Sequence, residues 1–511
     1  MKKFVIANVP FLIVIILLNV TIYANSLKGQ FVSDDIPNVL NNPQVQSFNQ
    51  ALTGRHRHIQ YFIWGKSLKY FGINPTPMHV LSLGLHVMNV VLLFAITYKT
   101  FDSKTAVISS LLYSVHPVTT EVVNWISATI YLFGALSLFS TLLSYIQYKQ
   151  TKKVGYLYLT WTIFAMSVIF TDHYWNYIIA PFLIVFDQLI IEKKINIRTT
   201  LPLIPILLAT LVLIFMHYTS GDISKRVDYV NTGSNTPFLQ RLPYSIYMHG
   251  ELLAFPKNVT LYHEGEIITP QKYQLMIAIS VLIFSALPFV FLKSRKVGGI
   301  VLLTYVAVLP IFSPIQVSWF IADRYLYIPA AMFCVLVAMI ILGLAEKYKW
   351  KNFAVVATVV LLIAYSIRTI MRNQEWQTPK KLWLATERVG PNSPRVHNNL
   401  GDVFAIERDY DRSVWHFKRA IELNPNYADA LHNLGHTYIQ MGQLDLAEQY
   451  LLMSLEKNPY LYQATYKLGL IAYNRGNSEE AKGWFEQTLS LSPGNVYAIK
   501  ALELVNAQTT Q

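Results

Sequence analysis

Near Glu375 the chain changes the solvent it is written for. Upstream, apolar runs of about 17–22 residues follow one another, each long enough to cross a hydrocarbon core. Downstream the sequence is polar and periodic. Pro391, Pro425, Pro459 and Pro493 are each 34 residues apart, as are Leu400-Gly401, Leu434-Gly435 and Leu468-Gly469; Ala420, Ser454 and Thr488 recur in the same register. A 34-residue period is that of stacked helix pairs. The chain is therefore expected to be all-α, a polytopic membrane helix bundle followed by a solenoid.

Apolar runs fall near 4–24, 78–98, 104–123, 127–147, 155–171, 174–191, 199–218, 272–292, 297–317, 325–345 and 352–371, which predicts about eleven transmembrane helices. Pro117 and Glu121 interrupt the third. Lysine and arginine collect in every second gap: Lys2-Lys3, Lys99 with Lys104, Lys149 with Lys152-Lys153, Lys193-Lys194 with Arg198, Lys293-Arg295-Lys296, and Lys347-Lys349-Lys351. The positive-inside rule makes those gaps cytoplasmic. The N-terminus is then cytoplasmic, and the repeats are extracytoplasmic with two long outer loops at about 25–77 and 219–271. The first run has no small-residue cleavage site and reads as a retained anchor.

Orientation accounts for most of the net charge of +13, so nucleic acid is not an expected partner. The single cysteine, Cys334, lies in an apolar run and excludes a disulfide framework. Both outer loops carry amphipathic stretches. In the first, Ile59, Phe62, Ile63 and Trp64 alternate with Arg55, Arg57, Lys66 and Lys69; in the second, Phe238, Leu242, Ile246, Leu252, Leu253 and Phe255 accompany Arg241, His249 and Glu251. Such segments either lie in the membrane interface or pack on the bundle.

The expected organisation is a membrane domain over 1–375, a linker over 376–391 and tetratricopeptide repeats over 392–506. Three repeats, 392–425, 426–459 and 460–493, precede a capping helix at 494–506. Three with a cap is near the minimum for a stable solenoid. The concave face is expected to present Asn398, Asn399, His432, Asn433, His436, Tyr466 and Lys467. Of these, Asn399, Asn433, His436 and Lys467 are the candidate contacts to an extended peptide; a structural spacer is the other reading.

Few residues suggest chemistry, and each has a plainer reading. Asp34 and Asp35, in Phe31-Val-Ser-Asp-Asp-Ile-Pro37, are an acidic pair in an aromatic setting. Such a carboxylate can serve as a general base or hold a divalent cation, or simply form a turn. His116 and Glu121 sit at membrane depth, where an ionisable group is a functional suspect. In Asp323-Arg324-Tyr325, the arginine offers the paired donors that suit phosphate, or it snorkels beside Asp323. His79 and His86 lie seven apart on one helix face and read as polar contacts within the bundle. Asp172 and His173 either contact a sugar or belong to an aromatic girdle with Trp175 and Tyr177. No phosphate loop, nucleophile elbow or metal-ligand cluster is visible. An activated, membrane-borne substrate is the expected energy source.

Several segments, in this order, resemble the transmembrane and tetratricopeptide repeat-containing O-mannosyltransferases. They are Phe31-Val-Ser-Asp-Asp35, Met78-His-Val-Leu81 through His86, and Val115-His-Pro-Val-Thr-Thr-Glu121. Leu253-Ala-Phe-Pro256, Ala322-Asp-Arg-Tyr-Leu-Tyr-Ile-Pro329 and Arg372-Asn-Gln-Glu-Trp376 follow, leading through Leu382-Trp383 into the repeats. That family is placed among the GT-C glycosyltransferases, which use polyprenyl-phosphate sugars on the non-cytoplasmic face. The resemblance implies Asp34 or Asp35 as catalytic carboxylate, with inversion at the anomeric carbon. It makes Arg324 the ligand of the donor phosphate, and His116 and Glu121 pocket residues. His79, His86, Asp172, His173, Asp323 and Tyr325 complete the candidate pocket. Implied partners are a polyprenyl-phosphate sugar, an exported acceptor protein and membrane lipid. The implied location is a bacterial cytoplasmic membrane.

The chain departs from the family in two places. Thr171-Asp-His-Tyr-Trp-Asn176 stands where the family has a Lys-Glu pair, and Arg55-His-Arg-His58 where it has Arg-Pro. Both bear on the sugar, mannose or another hexose, more than on glycosyl transfer. Three alternatives remain in view: an enzyme acting on an envelope glycolipid or polysaccharide, an oligosaccharide ligase using Arg241 and His249, and a non-catalytic scaffold.

Overall fold

The computed structural model describes residues 2–46, 59–170, 173–192, 195–219, 238–265, 268–312, 319–350 and 352–509. Every regular element among the described residues is helical. Two compact units result: Met1–Leu261 with Ile268–Leu382, and Tyr262–Ile267 with Trp383–Gln511. The stretch expected to be a linker holds the helix Pro379–Val389, and the division between units falls inside it.

All eleven apolar runs of the first unit contain helices, of three kinds. Seven are long and apolar enough to cross a membrane: Asn8–Lys28, Thr76–Thr100, Ile126–Thr151, Ile197–Met216, Pro270–Lys293, Asp323–Lys347 and Phe353–Glu375. Two apolar helices are shorter, Val154–Phe170 and Asn176–Ile191. The last two runs are broken, with 12-residue helices at Ser103–Ser114 and Arg295–Val306. The first break has a local cause. Asp102 caps the helix start, accepting from the Thr105 amide at 2.9 Å. At the other end Pro117 holds His116 extended (φ −66°, ψ 123°), and the chain leaves the helix for a turn and the short helix Thr120–Asn124.

The Thr76–Thr100 helix packs on Thr129–Thr151 and on Ser103–Ser114, which also packs on Tyr327–Lys347. Val90, Leu93, Phe139, Leu142, Ala331 and Val335 fill the core between them. By contrast, Phe353–Glu375 exposes Val355, Val356, Val359, Val360, Ile363 and Ile367, and Pro270–Lys293 exposes Val281, Leu282, Phe284 and Phe289. Apolar exteriors on that scale suit lipid, not water.

Both amphipathic stretches fold as helices packed on this unit. Ile59–Phe71 buries Trp64 against Val39, Val45, Met78 and Ile126. Phe238–Ala254 buries Met248, Leu252 and Leu253 in the main core. Arg55 and Arg57 lie outside the described residues.

In the second unit the 34-residue period becomes geometry. Paired helices run Pro394–Ile406 with Tyr410–Leu423, Ala428–Gln440 with Leu444–Lys457, and Tyr462–Asn474 with Ser478–Leu491, followed by Val496–Thr509. Each Leu-Gly has one packing reason. A Cβ at Gly401 would lie 2.6 Å from the Phe417 ring, one at Gly435 2.9 Å from Leu451, and one at Gly469 2.5 Å from Phe485. Only glycine lets the second helix of each pair approach that closely. The turn inside each pair uses a left-handed residue, Gly442 (φ 75°) and Gly476 (φ 77°), but in the first repeat that residue is Arg408 (φ 61°).

Candidate functional site

The structure gives the adjacent acids different fates. Ser33 takes a left-handed conformation (φ 50°) and turns the chain so that Asp35 is fully buried while Asp34 stays exposed. The Asp35 Oδ1 accepts from the Ser127 amide at 2.8 Å and the Ser127 hydroxyl at 2.7 Å; Oδ2 accepts from the Val32 amide at 3.1 Å. Burial pushes the Asp35 carboxyl up to about 7, against the three donors that favour its ionised form. Asp35 is thus the clamp of the loop that follows the first apolar helix, and Asp34 is the acid presented at the surface. His79 steadies the same loop, its Nε2 lying 3.2 Å from the Gly29 carbonyl oxygen.

The clamp lands on a hub. Residues 116–127 follow the Pro117 break and gather parts of the chain that are far apart in sequence. The His116 Nε2 donates to the Leu253 carbonyl at 3.0 Å, while its Nδ1 accepts from the Val118 amide at 3.3 Å, an arrangement that fits one neutral tautomer. The Arg324 Nη1 donates to Glu121 at 2.7 Å in a buried ion pair. The same guanidinium sits over the rings of Trp125, at 5.5 Å, and Tyr325, at 5.1 Å. Tyr131 closes on it as well. Asp323, the partner of Arg324 in its plainer reading, accepts from the Thr260 amide at 2.8 Å.

Phe353–Glu375 brings a second arginine to this hub. Arg372 is fully buried, donates to Glu375 at 2.6 Å and lies over Trp376 at 5.4 Å. Trp376 stacks on Trp125 at 6.1 Å, and Asn373 accepts from Asn124 at 2.8 Å. The charges of Arg324 and Arg372 both act on Glu121. Four buried nitrogens here, Arg372 Nε and Nη2 and the indole nitrogens of Trp125 and Trp376, have no hydrogen-bond partner among the described residues. Buried polar groups are almost always satisfied, by protein, water or an ion, so these four N–H donors have room for an acceptor from outside the chain.

Other candidates go elsewhere. His86 lies in a hydroxyl-rich core with Tyr327 at 2.7 Å and Ser114, edge-on to Tyr23 and Tyr113, and serves packing. Asp172 lies outside the described residues, and so does the side chain of His173, which opens the helix His173–Phe186. Arg241 covers the Phe320 ring at 4.5 Å, and the His249 Nδ1 lies 3.3 Å from the Ser245 hydroxyl.

In the repeats, the Asn433 amide donates to Asn398 at 3.1 Å and Asp402 at 3.4 Å, and the Lys467 Nζ lies 3.0 Å from the His436 Nδ1. Asn399 is apart from these, its amide turned back on the Arg395 carbonyl.

Sequence reasoning gave no role to Ser127, Trp125, Trp376 or Arg372. A serine after an apolar run carries no signal, and an arginine ending a membrane helix reads as a snorkelling residue. Only its position in Arg372-Asn-Gln-Glu-Trp376 drew attention to it.

A tetratricopeptide repeat family model matches residues 394–427 and a second matches 416–449. The protein O-mannosyl-transferase F38B6.6 of Caenorhabditis elegans is 25% identical over 81% of this chain and 63% of its own length. The human protein O-mannosyl-transferase TMTC3 is 21% identical over 79% of this chain and 50% of its own length. The chain is TMTC-like. It spans about half to two thirds of the length of these curated relatives. The Xenopus laevis protein O-mannosyl-transferase tmtc2 reaches 32% identity over 22% of this chain. Within this TMTC-like chain, four of the segments that carry the resemblance fold around the hub: the Asp34-Asp35 loop, His116 to Glu121, Asp323 to Tyr325, and Arg372 to Trp376.

Proposed function

We propose that the chain is a membrane glycosyltransferase of the GT-C, inverting kind. It moves a hexose, mannose or another, from a polyprenyl-phosphate donor to serine or threonine hydroxyls of exported proteins. The observation that carries this reading is the set of four unmatched buried donors from Arg372, Trp125 and Trp376 beside the Glu121–Arg324 pair. Positive, partly desolvated and rich in N–H groups, such a place favours a phosphate and the charge that grows on it as it leaves. The relatives' names, protein O-mannosyl-transferase, support transfer of a hexose to protein.

In the proposed reaction the Asp34 carboxylate takes the proton of the acceptor hydroxyl as its oxygen attacks the anomeric carbon. The bond from that carbon to the phosphate oxygen breaks, and polyprenyl phosphate departs with both electrons. Arg372 and Arg324 stabilise the departing charge, and Glu121 holds Arg324 in place. Asp35 positions Asp34 by fixing the loop to Ser127. The bundle lies in a bacterial cytoplasmic membrane with the repeats outside, and Asn433, His436 and Lys467 help recruit the acceptor.

The test is the extracytoplasmic glycoproteome of a deletion strain complemented with wild type, Asp34→Asn or Arg372→Leu at matched expression. Hexose-bearing peptides should vanish in the deletion, return with wild type and stay absent with Asp34→Asn. Full restoration by Asp34→Asn sinks the assignment of the base. An unchanged glycoproteome in the deletion sinks protein glycosylation itself.

A further inference from the structure

We propose that Glu387, His397 and His416 form a binding site for a divalent transition metal of the zinc class, outside the proposed transferase site. They come from three helices, Pro379–Val389, Pro394–Ile406 and Tyr410–Leu423, and their ligand atoms all lie within 4.8 Å of one another. The two Nδ1 atoms are 3.0 Å apart, and the His397 Nδ1 is 3.6 Å from the Glu387 Oε1. Bonds of about 2.0–2.1 Å in a tetrahedral zinc site set neighbouring ligand atoms about 3.3 Å apart. The two observed separations bracket that value.

Proton bookkeeping supplies the second argument. The His397 Nε2 is 3.0 Å from the Pro391 carbonyl oxygen, which can only accept, so Nε2 carries the hydrogen. In a neutral imidazole, Nδ1 is then a bare lone pair. His416 can donate one hydrogen to it, but the Glu387 carboxylate still faces a lone pair with nothing positive between them. A cation among the three atoms removes the conflict. The contact to Pro391 is also the kind of outer hydrogen bond that fixes the tautomer of a metal-ligating histidine.

The surroundings fit a ligand set. His397 is 2% exposed and His416 6% exposed; His416 stacks on Phe404 at 5.2 Å and His397 meets Trp415 edge-on at 5.8 Å, so both rings are held. Three protein ligands leave a fourth position open. Glu387 and His397 also line a pocket of about 730 Å³ with Arg388, Trp415, Arg419 and Glu422, which gives that position access to water or a carboxylate. Bound metal would tie the helix before the repeats to both helices of the first repeat. A second proton, making His397 an imidazolium, is the competing occupant.

The experiment uses the untagged full chain in detergent, stripped with chelator and titrated with Zn²⁺ by calorimetry and with Co²⁺ by visible absorption. Wild type should bind one equivalent, and Co²⁺ should show the intense bands of a four-coordinate site. Glu387→Gln and His397→Gln should each weaken binding at least tenfold, with the helical circular dichroism unchanged. Glu387→Gln is the safer variant, because that side chain is only half-buried. No binding by wild type overturns the proposal in favour of the proton. Undiminished binding by both variants overturns it in favour of a metal held elsewhere.

Discussion

The split between the two acids has a measurable signature in pH. Asp35 is fully buried and its folded pKa is raised from 3.8 to about 7. A carboxyl raised on folding contributes stability that is fully present below about 4 and is lost as pH rises through about 7. In that window the closed loop keeps a proton that the open loop has released. At about 1.36 kcal/mol for each pK unit, the loop clamp should weaken by up to ~4 kcal/mol between pH 4 and pH 8. That is close to a thousandfold in the opening equilibrium. Hydrogen exchange over residues 29–42, corrected for the intrinsic pH dependence, reads the opening directly. Wild type and Asp34→Asn should both lose protection across this range, because the exposed Asp34 is not the titrating clamp. Asp35→Asn should flatten the profile, since the amide cannot ionise. Parallel profiles for wild type and Asp35→Asn would refute the assignment.

Three further outcomes are expected. Arg324→Leu leaves Glu121 buried without its cation and should cost about 3–5 kcal/mol in thermal unfolding, whereas the double variant Glu121→Leu/Arg324→Leu should recover much of it; equal losses in single and double variants would deny the pair. Arg408→Gly should stabilise the repeats by about 1 kcal/mol, because Arg408 holds the left-handed turn that glycine holds at 442 and 476; urea melts that do not move, or move down, count against it. Burial and Asp429 push Asp402 up to about 7, so its contribution to the repeats is present below about 4 and lost as pH rises through about 7. Asp402→Asn should therefore reduce the fall in melting temperature between pH 5.5 and 8.5, and an unchanged fall would speak against it.

Much of this was legible because periodicity is local. The seam near Glu375, the positions of the apolar runs and the 34-residue register are properties of neighbouring residues along one chain. The contacts of the glycines in Leu400-Gly401, Leu434-Gly435 and Leu468-Gly469 are local too, since each meets a residue 16 positions on in the same repeat. Pro117 announced the break after Ser114 for the same reason: its ring restricts the residue beside it.

Charge placement was not local. Asp34 and Asp35 are equivalent as letters, and only Ser33's left-handed turn and Ser127, 92 residues away, make one a clamp and the other a surface acid. Arg324 read as a phosphate ligand or as a snorkelling residue beside Asp323, and the fold pairs it with Glu121 across 203 residues. Arg372 and its unmatched donors became visible only when Phe353–Glu375 packed beside the Pro117 turn. Sequence by itself determined where the chain is apolar, where it repeats and which residues can ionise. Tertiary structure alone decided which of those groups lose water and which partners they find, because desolvation and pairing depend on what the rest of the fold places beside a group.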